Sequence, residues 1–176
     1  YAPNITADVN NGIGSWSKTQ LVEYLKTGKV SDMKNSASGS MAEAISHSFQ
    51  YLNDADLGAM ATYLSTIPAI SKGDTSRFGH GTAMSVVPSF RGRSLNESAD
   101  ALAKGGLLYS ANCASCHGYE GQGMKDRYYP ALFKNSATSG DNANNLSATI
   151  LYGVHCKTES GDVFMPPFSH QPQAMN

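Results

Sequence analysis

The sequence contains no run approaching the roughly 20 apolar residues that a bilayer-spanning helix requires, so no transmembrane segment is expected within it. Charge is sparse as well. Only 15% of the 176 residues are Asp, Glu, Lys or Arg, and the formal net charge is -1. No stripe of Lys and Arg is present, which argues against nucleic acid as a partner. Three cysteines are too few, and odd in number, for a disulfide framework. The Tyr1 end carries neither a charged stretch, an apolar core nor a cleavage-site pattern, so no signal peptide is visible. The chain opens on Tyr1-Ala-Pro-Asn-Ile-Thr6 and closes on Gln171-Pro-Gln-Ala-Met-Asn176 without a capped terminal element, and a fragment of a longer protein is expected. The length suits one ordinary domain or two small ones.

What is present is mostly helical punctuation. Ser17-Lys-Thr-Gln20 reads as a capping box, Leu21, Val22 and Leu25 give the following helix an apolar face, and Gly28 suits its left-handed end. Residues 31–40 are small and polar, hence loop. Met41, Ala44, Ile45, Ser48 and Leu52 have helical spacing. Asn53 then caps a helix whose first turn holds Asp54 and Asp56, where negative charge complements the helix dipole, and Pro68 stops it. From residue 70 to about 94 no periodicity is sustained, and a linker is expected there. Beyond it Asn96 caps a helix running to Ser110, in which the poor helix formers Gly105 and Gly106 suggest close approach of a neighbour. A Gly-, Tyr- and Asn-rich loop follows over 119–140, a short helix over Asn145 to Tyr152, and a proline-stiffened loop over Val163 to Phe168. No strand is expected, so the fold class is all-α, helices with long loops.

Cys113-Ala-Ser-Cys116-His117 makes cytochrome c-like haem domains the expected form of that all-α fold. Two thiols three residues apart lie on one helical turn and can each bond a vinyl group of a porphyrin, while the next residue turns an imidazole onto the iron. Cys113 and Cys116 are therefore the expected covalent attachment points of haem c, and His117 its first axial ligand. A buried Cys pair or half of a zinc site is the competing reading, and no second ligand pair at zinc spacing accompanies it. The second axial ligand is expected at Met165, within Phe164-Met-Pro-Pro-Phe168, where two prolines stiffen the backbone and two rings can screen the haem edge. A thioether opposite imidazole raises the potential, as an electron carrier requires. Met124, His155 and His170 are the rivals, His155 first among them as the partner in a bis-His haem. Cys156 reads as a partly buried spectator thiol. Glu43 and His47, four apart, read as a solvated helix pair rather than as acid and base.

These residues resemble a known family, the multihaem cytochrome c subunit of membrane-bound bacterial dehydrogenases for alcohols, sugars, sugar acids and aldehydes. The resemblance is carried by Gly106-Leu-Leu-Tyr-Ser-Ala-Asn-Cys113, Gly121-Gln-Gly123, Tyr129-Pro-Ala-Leu132, Ile150-Leu-Tyr-Gly-Val154 and Met165-Pro-Pro-Phe168. In the first half it continues through Ala2-Pro-Asn-Ile-Thr6, Gly12-Ile-Gly-Ser-Trp16 and Gly39-Ser-Met41-Ala-Glu43. It implies that residues 1–69 are the latter part of one haem domain and that 70–94 are a linker. Residues 95–176 would then be a further haem domain without its final helix. By the same resemblance Met41 is the axial ligand of a second haem and Trp16 lies near that haem's edge. No second Cys-x-x-Cys-His is present, so the thiols of that haem would lie upstream.

The resemblance implies electron relay rather than substrate chemistry: electrons from a dehydrogenase catalytic subunit pass through haem c toward ubiquinone. The expected location is the bacterial periplasmic side, in association with the cytoplasmic membrane. Two other classes compete. A catalytic cytochrome of the peroxidase or thiosulfate-oxidising type needs an open sixth position on iron, and a zinc-binding structural module needs no haem.

Overall fold

Ser17 begins the first helix as its side chain implies. In the computed structural model, which describes residues 2–30, 36–71, 101–125, 128–132, 135, 137–138 and 142–169, the Ser17 hydroxyl accepts from the Gln20 N–H at 3.1 Å. The Gln20 side chain returns the favour by accepting from the Ser17 N–H at 2.8 Å. Helix α1 (Lys18–Thr27) ends at Gly28, whose φ of 73° is left-handed. Helix α2 spans Gly39–His47 and is followed by a 3-10 turn, Phe49–Tyr51. Helix α3 (Asp54–Thr66) starts where Asn53 accepts from the Asp56 N–H at 2.9 Å. Leu21 and Leu25 of α1 and Leu57 and Ala61 of α3 are buried. The Lys26–Asp54 ion pair is exposed and adds little.

Helix α4 (Ala101–Asn112) leads into the single turn α5 (Ala114–His117). A side chain at Gly105 would meet nothing within 4 Å among the described residues. Helix α6 (Asn144–Tyr152) follows as expected from the sequence. The expected linker over 70–94, the Asn96 cap and His170 lie outside the described residues, except residues 70 and 71. The chain forms two compact units. One draws on Tyr1–His80 and Lys134–Asn176, the other on Gly81–Phe133.

The fold is mostly helical but not wholly so. Strands β1 (Val154–Thr158) and β2 (Gly161–Met165) form an antiparallel hairpin where no strand was expected, and β2 runs into the expected proline-stiffened loop over Val163 to Phe168. The register pairs Val154 with Met165, Cys156 with Val163 and Thr158 with Gly161. Partners across a strand pair share a face, so Val154, Cys156, Thr158, Val163 and Met165 look one way, and His155, Lys157 and Phe164 the other. A two-stranded hairpin is marginal on its own and needs a surface to pack on. Here the surface is α2. Cys156, expected to be partly buried, is fully buried in one cluster with Ala37, Ala42 and Ile45. Tyr24, Met41, Phe49 and Val163 pack around that cluster.

Burial and, secondarily, the Cys156 thiol push the Tyr24 hydroxyl up from 10.0 to about 12. Because the folded value lies above the unfolded one, its contribution to stability is complete below pH 10 and is lost as pH rises toward about 12. Thermal denaturation should therefore show a melting temperature that falls across this window, and Tyr24→Phe should make the fall shallower. An identical alkaline slope in the variant would contradict this.

Candidate haem site

The second unit builds its site on one helical turn. Cys113 caps α5, its carbonyl accepts from the N–H groups of Cys116 at 3.1 Å and His117 at 2.9 Å, and the turn thereby carries both thiols. Both cysteines are free and half-buried. Burial, and then the neighbouring Cys116, raise the Cys113 thiol above its ordinary value, which keeps it protonated near neutral pH.

His117 is buried, and its Nδ1 lies 2.9 Å from the carbonyl oxygen of Pro130. A carbonyl can only accept, so Nδ1 carries the proton and Nε2 keeps its lone pair for a metal. The loop that brings Pro130 back to His117 is closed by main-chain bonds. Gly123 N–H donates to the His117 carbonyl at 2.8 Å, Met124 N–H to Tyr129 at 3.1 Å and Leu132 N–H to Gly121 at 2.8 Å. Gly123 has φ 74°, and a Cβ there would stand 2.6 Å from the Tyr129 carbonyl and 2.8 Å from the Ala131 nitrogen. Only glycine allows that approach. The Tyr109 hydroxyl donates to the Gly118 carbonyl and ties α4 to the same loop.

The donor set suits haem c: two adjacent free thiols, an oriented imidazole and exposed apolar side chains at Leu108, Tyr119 and Met124 for a flat hydrophobic group to cover. Among the described residues no group of three His, Cys, Asp or Glu converges as a structural zinc would need.

The other candidates lie in the first unit. Met165 is half-buried at the end of β2, on the hairpin face opposite His155. His155 is exposed and stacks edge-on against Phe164, ring centres 5.9 Å apart. Gly153, with φ 72°, lies under Met165, and a Cβ there would strike the Met165 carbonyl and stand 2.9 Å from the Pro167 nitrogen. Phe168 and Ser169 N–H groups donate to the Ile150 and Leu151 carbonyls at 3.0 and 3.1 Å, closing the loop. Helix α6 buries no side chain, and Ile150, Leu151 and Phe164 stand exposed beside this loop.

Met41, in the first turn of α2, is half-buried against the Ile45 cluster. Trp16 meets Tyr24 edge-to-face at 5.5 Å, and Tyr24 packs on that same cluster. The Trp16 indole nitrogen is buried without a hydrogen-bond partner among the described residues. Glu43 and His47 are exposed on α2, as a solvated pair would be. The sequence reading did not assign the Pro130 carbonyl that orients His117. Proline's missing N–H beside a tyrosine pair was the available signal, and it does not specify a histidine partner.

Residues 100–175 match the family model described as cytochrome C oxidase, cbb3-type, subunit III. The fructose dehydrogenase cytochrome subunit of Gluconobacter japonicus is 46% identical over 171 residues, 95% of this chain and 35% of that protein. The chain is a relative of dehydrogenase cytochrome subunits. The cytochrome c subunit of alcohol dehydrogenase (quinone) from Gluconobacter oxydans (strain 621H) is 28% identical, covering 99% of this chain and 32% of that protein. The gluconate 2-dehydrogenase cytochrome c subunit of Pantoea cypripedii is 26% identical over 86% of this chain and 32% of its own length. The chain thus spans about a third of the length of these curated relatives. Covalently bound haem c is the cofactor that the family match and the relatives support.

Proposed function

We propose that this chain relays electrons through haem c, held by thioether bonds to Cys113 and Cys116 and by His117 and Met165 as axial ligands. The observation that carries the reading is the α5 turn, with its two free thiols and an imidazole whose Nδ1 is committed to Pro130. Bound haem supplies a one-electron iron couple, and the chain supplies everything that makes the couple useful. Cys113 and Cys116 prevent the group from dissociating. Pro130 holds the His117 ring in one tautomer, which strengthens Nε2 as a donor. Met165 would add a soft thioether that favours the reduced metal, and the exposed Ile150 and Leu151 would offer apolar cover that keeps water away.

The reading extends to the first unit. Met41 would be the axial ligand of a second haem attached upstream, and Trp16, whose buried indole N–H has no hydrogen-bond partner among the described residues, would lie near that haem's edge. Its electron donor is the catalytic subunit of a dehydrogenase, as the names of the relatives suggest, and ubiquinone is the acceptor. The chain itself transforms no substrate. Covalent haem attachment and the resemblance support the bacterial periplasmic side, at the cytoplasmic membrane. The relatives favour neither a catalytic cytochrome nor a zinc module.

The test is Met165→Ala in protein matured by a cytochrome-c-competent host. Covalent haem content should be unchanged, the thioether-to-iron charge-transfer band should vanish, and the potential should fall by roughly 0.1–0.3 V, within the ~0.8 V that axial ligation commands. A variant that keeps the band removes Met165 from the ligand set.

A further inference from the structure

The hairpin that carries Met165 is fastened to the helix that carries Met41, and the fastening is directional. Lys157 N–H donates to the Ser46 hydroxyl at 3.2 Å. Glu159 N–H donates to the Gln50 side-chain oxygen at 2.8 Å, and the Gln50 amide donates in turn to the carbonyls of Lys157, at 3.4 Å, and Ser46. Gln50 is buried and its bonds are partly shielded from water, whereas the Lys157–Ser46 bond is exposed. Lys157 thus spends both main-chain groups on the α2 side rather than on β2. Between these anchors the Cys156 side chain lies against Gly28, where a Cβ would stand 2.8 Å from its sulfur. On the other strand Lys29 donates to the Asp162 carbonyl at 3.5 Å.

We propose that Ser46 and Gln50 are positioning residues for Met165: they set the tilt of the hairpin on α2, so that Met41 and Met165 share one mount. The inference rests on the reading of Met165 as an iron ligand. Apolar packing around Cys156 and Val163 fixes how deep the hairpin sits but tolerates rocking, because hydrophobic contact is non-directional. Hydrogen bonds at Lys157 and Glu159 remove that freedom. The pair Val154–Met165 lies three residues beyond Lys157–Asp162, roughly 10 Å along the strands at about 3.3 Å per residue. A small rotation at the anchors therefore becomes a displacement at the Met165 sulfur. Ser46 and Met41 belong to the same two-and-a-half turns of α2, so whatever shifts the helix reaches both thioethers.

The experiment compares haem-loaded Gln50→Met, Ser46→Ala and the double variant with the parent chain. Methionine keeps the glutamine's length but makes none of its three hydrogen bonds. Three quantities are measured: amide exchange at Lys157 and Glu159, the thioether-to-iron band, and the midpoint potential of the haem at Cys113 and Cys116. In the double variant, exchange should be about fivefold faster or more, because the N–H groups of Lys157 and Glu159 both lose their acceptors. The band should weaken and the potential fall, with covalent haem unchanged. Ser46→Thr alone, which keeps the hydroxyl, should retain the parent values. Faster exchange with an unchanged band and potential would overturn the proposal, as would unchanged exchange. Met165→Ala run alongside separates the two readings: if it keeps the band, the ligand assignment has failed and the positioning role falls with it, whatever the anchors do.

Discussion

Alanine at both Cys113 and Cys116 abolishes covalent haem: the double variant, produced in a host that matures c-type cytochromes, should lose haem on denaturing gels and the haem mass in intact-protein spectra. Non-covalent haem binding relies on His117 and the apolar cover alone, and denaturant removes it. Each thiol takes one vinyl group, so single substitutions should retain a reduced amount of haem held by one thioether. The two positions are equivalent in reach because one turn of α5 presents both sulfurs, and the bonds from Cys116 and His117 back to the Cys113 carbonyl hold that turn closed. Full covalent haem in the double variant would sink the attachment assignment. Zinc bound to the parent chain in place of haem, at one atom per chain and lost in the double variant, would point to the structural-module reading instead.

The second large effect is on stability. Ile45 is fully buried in α2, in the cluster that joins α2 to the hairpin. Truncating it to alanine removes three carbons from a packed interior and leaves a cavity that neighbouring side chains only partly refill. The expected cost is about 2–5 kcal/mol, read as a shift in the denaturation midpoint. Ile150→Ala supplies the comparison, since Ile150 is exposed on α6 and the same chemical change there should stay within about 0.5 kcal/mol in the absence of haem. Equal small costs at the two sites would mean that the cluster does not organise the first unit. Because Cys156 and Val163 rest on the same cluster, Ile45→Ala should also speed amide exchange across β1 and β2.

Helices α1 and α3 were legible from the sequence because their signals are local. Ser17 with Gln20, and Asn53 with Asp56, satisfy main-chain N–H groups within four residues, so neighbours in sequence decide the geometry. The hairpin was not legible, although Val154, Cys156 and Thr158 alternate with His155 and Lys157 as a half-buried strand should. Five-residue strands beside Pro166 and Pro167 are weak signals, and their stability comes from α2, more than a hundred residues earlier. Cys156 misled for the same reason. As a lone cysteine it reads as a spectator, and only its place against Gly28 and Ala42 makes it core.

What the sequence determined by itself is the cofactor chemistry: Cys113, Cys116 and His117 lie within five residues, and one helical turn brings them together whatever surrounds it. The helix boundaries share that property. The tertiary structure alone decided how the imidazole is oriented, through a carbonyl 13 residues away at Pro130. It also decided that the Met165 strand rests on the Met41 helix. Both depend on contacts between segments that the chain separates, and such contacts are set by packing and by buried hydrogen bonds that no local pattern encodes.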